Sequence, residues 1–162
     1  RVGPVAQLRA GLVATPLAAE LQTAWRRLGS GAAAARAIIT VHAVEVIEAL
    51  LDDPALTAGP VATAWPGVPA GVGVGLVDGA RGLLVHRYAT TADGRVAAAT
   101  ILTPTAQNEP WLGDMLTTAA SRGEEATVRA GMEDAIREAD PCLPCSAQPT
   151  GTMDLVVTEQ GG

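Results

Sequence analysis

The chain has 162 residues, 48% of them apolar and 17% charged, enough for one domain with a real core and against disorder over most of its length. Its 11 basic and 17 acidic residues give a net charge of −6, which excludes the electrostatic footprint of a nucleic-acid or anionic-lipid binder. The longest apolar run, 37–44, is interrupted by His42 and falls far short of the roughly twenty residues a membrane span needs.

The opening Arg1-Val2-Gly3-Pro4 has neither methionine nor a charged-then-apolar leader, so the expectation is a processed product or a piece of a longer chain. Thr15-Pro16 is a helix start, a capping hydroxyl followed by proline at the first helical position, and Gly29 is a stop. Leu17, Leu21, Trp25 and Leu28 then share one face. The spacing predicts a second helix over 32–51 with Val41, Val44, Ile47 and Leu51 as its buried stripe and Glu45 and Glu48 turned to water. His42 lies beside that stripe and reads as a hydrogen-bonded core or boundary histidine ahead of a ligand or proton relay.

Proline and glycine crowd 52–70, predicting a surface loop pinned by Trp65. Residues 72–77 are glycine-rich for a strand, and because no capped helix follows Gly71, Gly73 and Gly75, a dinucleotide fingerprint fails on context. Gly79-Ala80-Arg81-Gly82 places one arginine on a tight turn. Segments 83–89 and 95–102, separated by Ala92-Asp93-Gly94, predict a β-hairpin with His86, Tyr88 and Leu84 on one face. Asn108 is expected to cap a helix opening near Pro110, and a last helix runs over 124–139, ended by Pro141 acting on Asp140. The tail 149–162 is expected to be an edge strand or a mobile end. Together these elements predict an α+β chain with helices at both ends around an antiparallel hairpin.

Both cysteines lie in Asp140-Pro141-Cys142-Leu143-Pro144-Cys145. Two thiols at this spacing chelate one metal, form a redox disulfide or do neither. The last helix points its negative end at them, which disfavours a thioredoxin-like thiolate and is relieved by a bound cation. A reducing compartment is the simpler setting for a pair of this kind.

In order along the chain, Arg1 to Leu8, Asp78 to Tyr88, Leu102 to Asn108 and Asp140 to Cys145 resemble the C-terminal part of nickel-iron hydrogenase large subunits. The Arg-Val-Gly-Pro opening is most similar to the cytoplasmic, cofactor-coupled branch. The resemblance implies that residues 1–148 are the C-terminal portion of a larger, mainly helical subunit that cleaves or makes dihydrogen, and that 149–162 is a cleavable maturation extension. It implies Cys142 as a terminal nickel ligand and Cys145 as a bridge between nickel and an iron that carries cyanide and carbon monoxide. It further implies Arg81 over the metals as proton acceptor and cyanide contact, and Thr105 as a hydrogen-bond donor to a cyanide. The implied partners are an iron-sulfur small subunit, together with subunits that reduce a nicotinamide or other cofactor. The sequence departs from the family where alanine-proline-arginine-glycine becomes Gly79-Ala80-Arg81-Gly82 and loses the proline, where Gln107-Asn108 replaces a tryptophan-asparagine or similar pair, and where Gln148 replaces the last histidine, leaving its carbonyl as the candidate magnesium ligand. The family's second Cys-x-x-Cys pair is not in this sequence. Two other readings stand beside this one: a non-catalytic hydrogenase-like electron-transfer or assembly module, and an unrelated zinc or redox Cys-x-x-Cys protein.

Overall fold

The computed structural model describes residues 1–29, 31–62, 64, 67, 69–121, 123–143 and 147–156. Its elements are α1 (Pro4–Ala10), α2 (Pro16–Leu28), α3 (Ala32–Leu51), a single 3₁₀ turn (Pro54–Leu56), β1 (Gly71–Gly79), β2 (Gly82–Thr90), β3 (Val96–Leu102), α4 (Pro104–Ala120) and α5 (Glu125–Ala139). The three strands form one antiparallel sheet in the order β1-β2-β3, so the chain is α+β. Among the described residues no helix is long and apolar enough to cross a membrane.

The core is Val5, Leu8, Val13, Ala18, Trp25, Ala32, Ala35 and Ile38, contributed by α1, the segment after it, α2 and the first half of α3. Burying the larger of these side chains stabilises by about 1.5–3 kcal/mol each. The Trp25 indole N–H donates to the Gly31 carbonyl at 3.1 Å, so its polar edge is satisfied as well.

Both expected stripes are rotated or displaced. On α2 the buried residues are Ala18, Gln22 and Trp25, while Leu17 and Leu28 are exposed. The helix turns this way because Gln22 Nε2 donates to the Leu8 carbonyl at 2.5 Å. On α3 burial falls on Ala32, Ala35 and Ile38, with Val44, Ile47 and Leu51 exposed. The 20 residues of α3 outrun the 13 of α2 packed beside it, so its second half is left largely uncovered among the described residues.

Glu45 corrects a second expectation. Instead of facing water it accepts the Leu17 and Ala18 N–H groups at 3.0 and 3.1 Å and so caps α2 from α3. Thr15 makes no cap with its side chain; its hydroxyl is hydrogen-bonded to His42 Nδ1 at 2.9 Å, which confirms His42 as a bonded boundary histidine. The Thr15 hydroxyl, followed by the Leu17 amide, holds the Glu45 carboxyl below the usual carboxylate range.

Residues 71–79 are a strand despite their glycines. Gly73 lies across from Tyr88 and Gly75 from His86, and a Cβ on either glycine would meet open space, so the glycines are not required by close packing there. His86 Nδ1 and the Tyr88 hydroxyl are hydrogen-bonded at 2.9 Å. The expected hairpin is β2-β3, with a register shift at Ala89/Thr90. Helix α4 begins at Pro104, well before the expected Pro110, because Thr103-Pro104 repeats the start signal of Thr15-Pro16 and Thr103 Oγ1 accepts the Ala106 N–H at 3.2 Å. Asn108 is therefore inside the helix and does not cap it. Trp65, the expected pin of the loop 52–70, lies outside the described residues.

The start of α3 and the end of α5 meet through reciprocal caps. Glu138 Oε1 accepts the Ala32 N–H at 2.6 Å at the start of α3, and Arg36 donates to the Glu138 and Arg137 carbonyls at 3.1 and 3.2 Å at the end of α5. An acceptor serves the positive end of one helix and a cation the negative end of the other. This fixes the exit of α5, and with it Asp140 to Cys142, against the helical core.

Candidate metal centre

Three elements distant in sequence converge on one place. The β1-β2 connection is a two-residue turn, Ala80-Arg81, closed by the Gly79/Gly82 pair, and it puts Arg81 at the tip of the sheet. Helix α5 ends on Asp140 with φ 47 and ψ 56, a left-handed conformation that aspartate tolerates and that the following Pro141 enforces by barring a further helical turn. Arg81 Nη2 then lies 3.5 Å from Asp140 Oδ1, an ion pair of two partly exposed side chains. The Cys142 N–H donates to Thr105 Oγ1, in the first turn of α4, at 3.1 Å.

These contacts surround a cavity of about 340 Å³ lined by Arg81, Thr105, Asn108, Asp140, Pro141 and Leu143 among others. Cys142, between two of the lining residues, is an exposed free thiol. The structure thus brings together Arg81, Thr105 and Cys142 of the residues singled out by sequence. Gln148 is exposed and is not among the residues lining the cavity. Cys145 lies outside the described residues. Asp140 was legible only as a helix stop, since nothing local to it announces an arginine on a distant turn.

The donor chemistry fits a soft metal. The exposed Cys142 offers one thiolate donor on a backbone held by Thr105, and the cavity next to it is lined by the Arg81 guanidinium and the Thr105 hydroxyl, which are hydrogen-bond donors suited to anionic groups. Among the described residues no three His, Cys, Asp or Glu side chains are grouped to hold a metal, so they form no closed cage by themselves.

Beyond the cysteines the tail is neither a strand nor loose in its described part. Glu133, buried on α5, accepts the Gly151 and Met153 N–H groups at 2.7 and 3.2 Å, and Met153 is fully buried. The Gly151 amide, followed by the Met153 amide, holds the Glu133 carboxyl below its usual range against the effect of burial. The cysteine loop therefore leaves α5 at Asp140, and the chain after it is fastened back to the same helix at Glu133.

No family model matches the chain. It is 33% identical to the beta subunit of the NAD-reducing hydrogenase HoxS of Cupriavidus necator over 98% of its own length and 36% of that protein. It is 34% identical to a polypeptide of the F420-non-reducing hydrogenase vhu of Methanocaldococcus jannaschii, over 74% of this chain and 30% of the relative. With the alpha subunit of Sulfhydrogenase 2 of Pyrococcus furiosus it shares 36% identity over 48% of this chain and 19% of the relative. The chain is a hydrogenase-related α+β protein, similar to subunits of oxidoreductases. Among solved structures it is similar to a chain of an NAD+-reducing [NiFe]-hydrogenase in the H2-reduced state, with a TM-score of 0.74 and 28% identity, covering 91% of this chain and 36% of that one. It spans about a third of the length of these first relatives.

Proposed function

We propose that this chain is the C-terminal, thiolate-bearing part of the catalytic large subunit of a nickel-iron hydrogenase of the cytoplasmic, cofactor-coupled type. The observation that carries the reading is the meeting of Arg81, Thr105 and the Asp140-Pro141-Cys142 turn around one cavity, in a chain related to hydrogenase subunits over nearly all its length. In this reading Cys142 and Cys145 hold nickel and an iron bearing cyanide and carbon monoxide, and Gln148 is the candidate magnesium ligand. The metals, when bound, supply the heterolytic cleavage of dihydrogen.

The roles of the chain's own residues follow from chemistry. Thr105 accepts the Cys142 N–H and so fixes the cysteine's backbone, while its own hydroxyl hydrogen remains available to an anionic nitrogen at the metals. Arg81 presents up to five donors and a fixed positive charge at the cavity. A guanidinium is a poor base, so its part is to hold charge and to orient Asp140, whose carboxylate is the group able to take a proton. Partners in this reading are an iron-sulfur small subunit with its cofactor-reducing companions.

Metal analysis of the purified parent protein tests the reading. Nickel with iron and hydrogen-dependent dye reduction is the expected result. Zinc alone selects the Cys-x-x-Cys alternative, and no metal selects the non-catalytic module. Residues 149–162 are, in the same reading, an extension removed after Gln148, which frees the end of the cysteine loop fastened at Glu133. Intact mass of the active protein decides that point: an active species still carrying Met153 rules removal out.

A further inference from the structure

We infer that Asn108 is the positioning residue that sets Arg81 at the cavity, by fastening the β1-β2 turn to the helix that carries Thr105; this rests on the reading of the cavity just given. Asn108 is 8% exposed on α4, about one helical turn beyond Thr105. Its Oδ1 accepts the Val2 N–H at 2.9 Å and its Nδ2 donates to the Val2 carbonyl at 3.2 Å. One amide side chain thus satisfies both backbone groups of one residue, as a neighbouring strand would.

Val2 and Gly3 in turn form the floor under Arg81. A Cβ placed on Gly82 would stand 2.6 Å from Gly3 N and 2.6 Å from Val2 Cγ2, and one placed on Gly3 would run into the Arg81 carbonyl. Gly3 and Gly82 have φ of 97° and 131°, so both the close approach and the conformation exclude a side chain. Arg81 cannot retreat without moving Val2-Gly3, and Val2 cannot move without leaving Asn108. Two flanking contacts run the same way: Arg1 lies 3.4 Å from the ring centroid of Trp111, further along α4, and Gln107 Nε2 donates to the Leu83 carbonyl at 2.5 Å. The result is a continuous linkage from α4 through Val2-Gly3 to Arg81, so that Thr105 and Arg81 share a common frame.

The chemistry specifies an amide. Aspartate at 108 would keep the acceptor for the Val2 N–H but set a carboxylate against the Val2 carbonyl; alanine would lose both bonds. The test uses Asn108→Ala and Asn108→Asp in the complete hydrogenase, with turnover expressed per bound nickel. The expected result is nickel and iron content near that of the unchanged enzyme, kcat per nickel lower by about ten- to hundredfold, and KM for dihydrogen little changed, with Asn108→Asp between the two. Hydrogen exchange on the metal-free protein should show faster exchange of the Val2, Gly3 and Gly82 amides and unchanged exchange at Thr90, the far end of β2. Unaltered kcat per nickel together with unaltered exchange at Gly82 overturns the inference, as does a loss of activity wholly accounted for by lost metal. Should Asn108→Ala not fold, Asn108→Asp alone carries both measurements. If the unchanged enzyme contains no nickel or iron, the reading of the cavity fails, and faster Gly82 exchange still decides whether Asn108 fastens the turn.

Discussion

Arg81 shows how far a single residue can be read. The glycines around it announce a tight turn, and the turn is there, closed by Gly79 and Gly82. Its ion pair with Asp140 is not announced, because the two residues meet only after the sheet and α5 have both packed. As a partly exposed pair it is worth at most about 1 kcal/mol to stability, so any large effect of changing Arg81 must be functional. Arg81→Lys in the complete enzyme should leave nickel and iron near normal while lowering hydrogen oxidation by roughly a hundredfold or more, since a point-charge ammonium cannot reproduce the planar fork. Near-normal oxidation at full metal occupancy would reduce Arg81 to a turn-forming residue. His42→Ala, by contrast, loses the bond to Thr15 and should lower stability by about 1 kcal/mol in denaturant titration while leaving kcat unchanged.

Elements were legible where their signals are local. Thr-Pro starts, glycine stops and the Asp140-Pro141 break placed α2, α3 and α5 close to their observed bounds, and the same Thr-Pro signal at 103–104 explains why α4 opens early. What holds one element to another was not legible. Glu45 caps α2 across the helix pair, and Glu133 clasps the tail. Both carboxyls lie below their ordinary values when folded, so each favours the folded state above the unfolded glutamate pKa of about 4.3, and that contribution is lost as pH falls through the lower folded value. Glu45→Gln and Glu133→Gln should therefore flatten the loss of stability on acidification below about pH 4.3, which thermal unfolding at stepped pH would detect. An unchanged acid slope in both variants would mean that these contacts do not hold in solution. Met153→Ala should cost about 2–5 kcal/mol in protein that retains the tail, as for other buried large-to-small changes, and nothing in protein cleaved before it.

At the scale of the whole molecule, the proposed reading has the cysteine pair supply half of a thiolate cage, and the described residues add no cluster of three or more metal-ligating side chains. This chain by itself is accordingly expected to hold no stable nickel-iron centre and to be inactive. Stoichiometric nickel and iron in the purified 162-residue chain, with hydrogen-dependent dye reduction, would contradict that. From sequence alone came the α+β class, the hairpin, the boundaries of α2, α3 and α5, and the resemblance carried by Arg81, Thr105 and Asp140 to Cys142, because each depends on neighbours a few positions away. Tertiary structure alone decided which helical faces are buried, since periodicity defines a stripe but not what covers it: Ala18 and Gln22 are inside where Leu17 is outside. It also decided that Asn108 binds Val2 rather than capping a helix and that Thr105 receives the Cys142 amide. These are bonds between polar groups far apart in the chain, and their partners exist only once packing has brought them within reach.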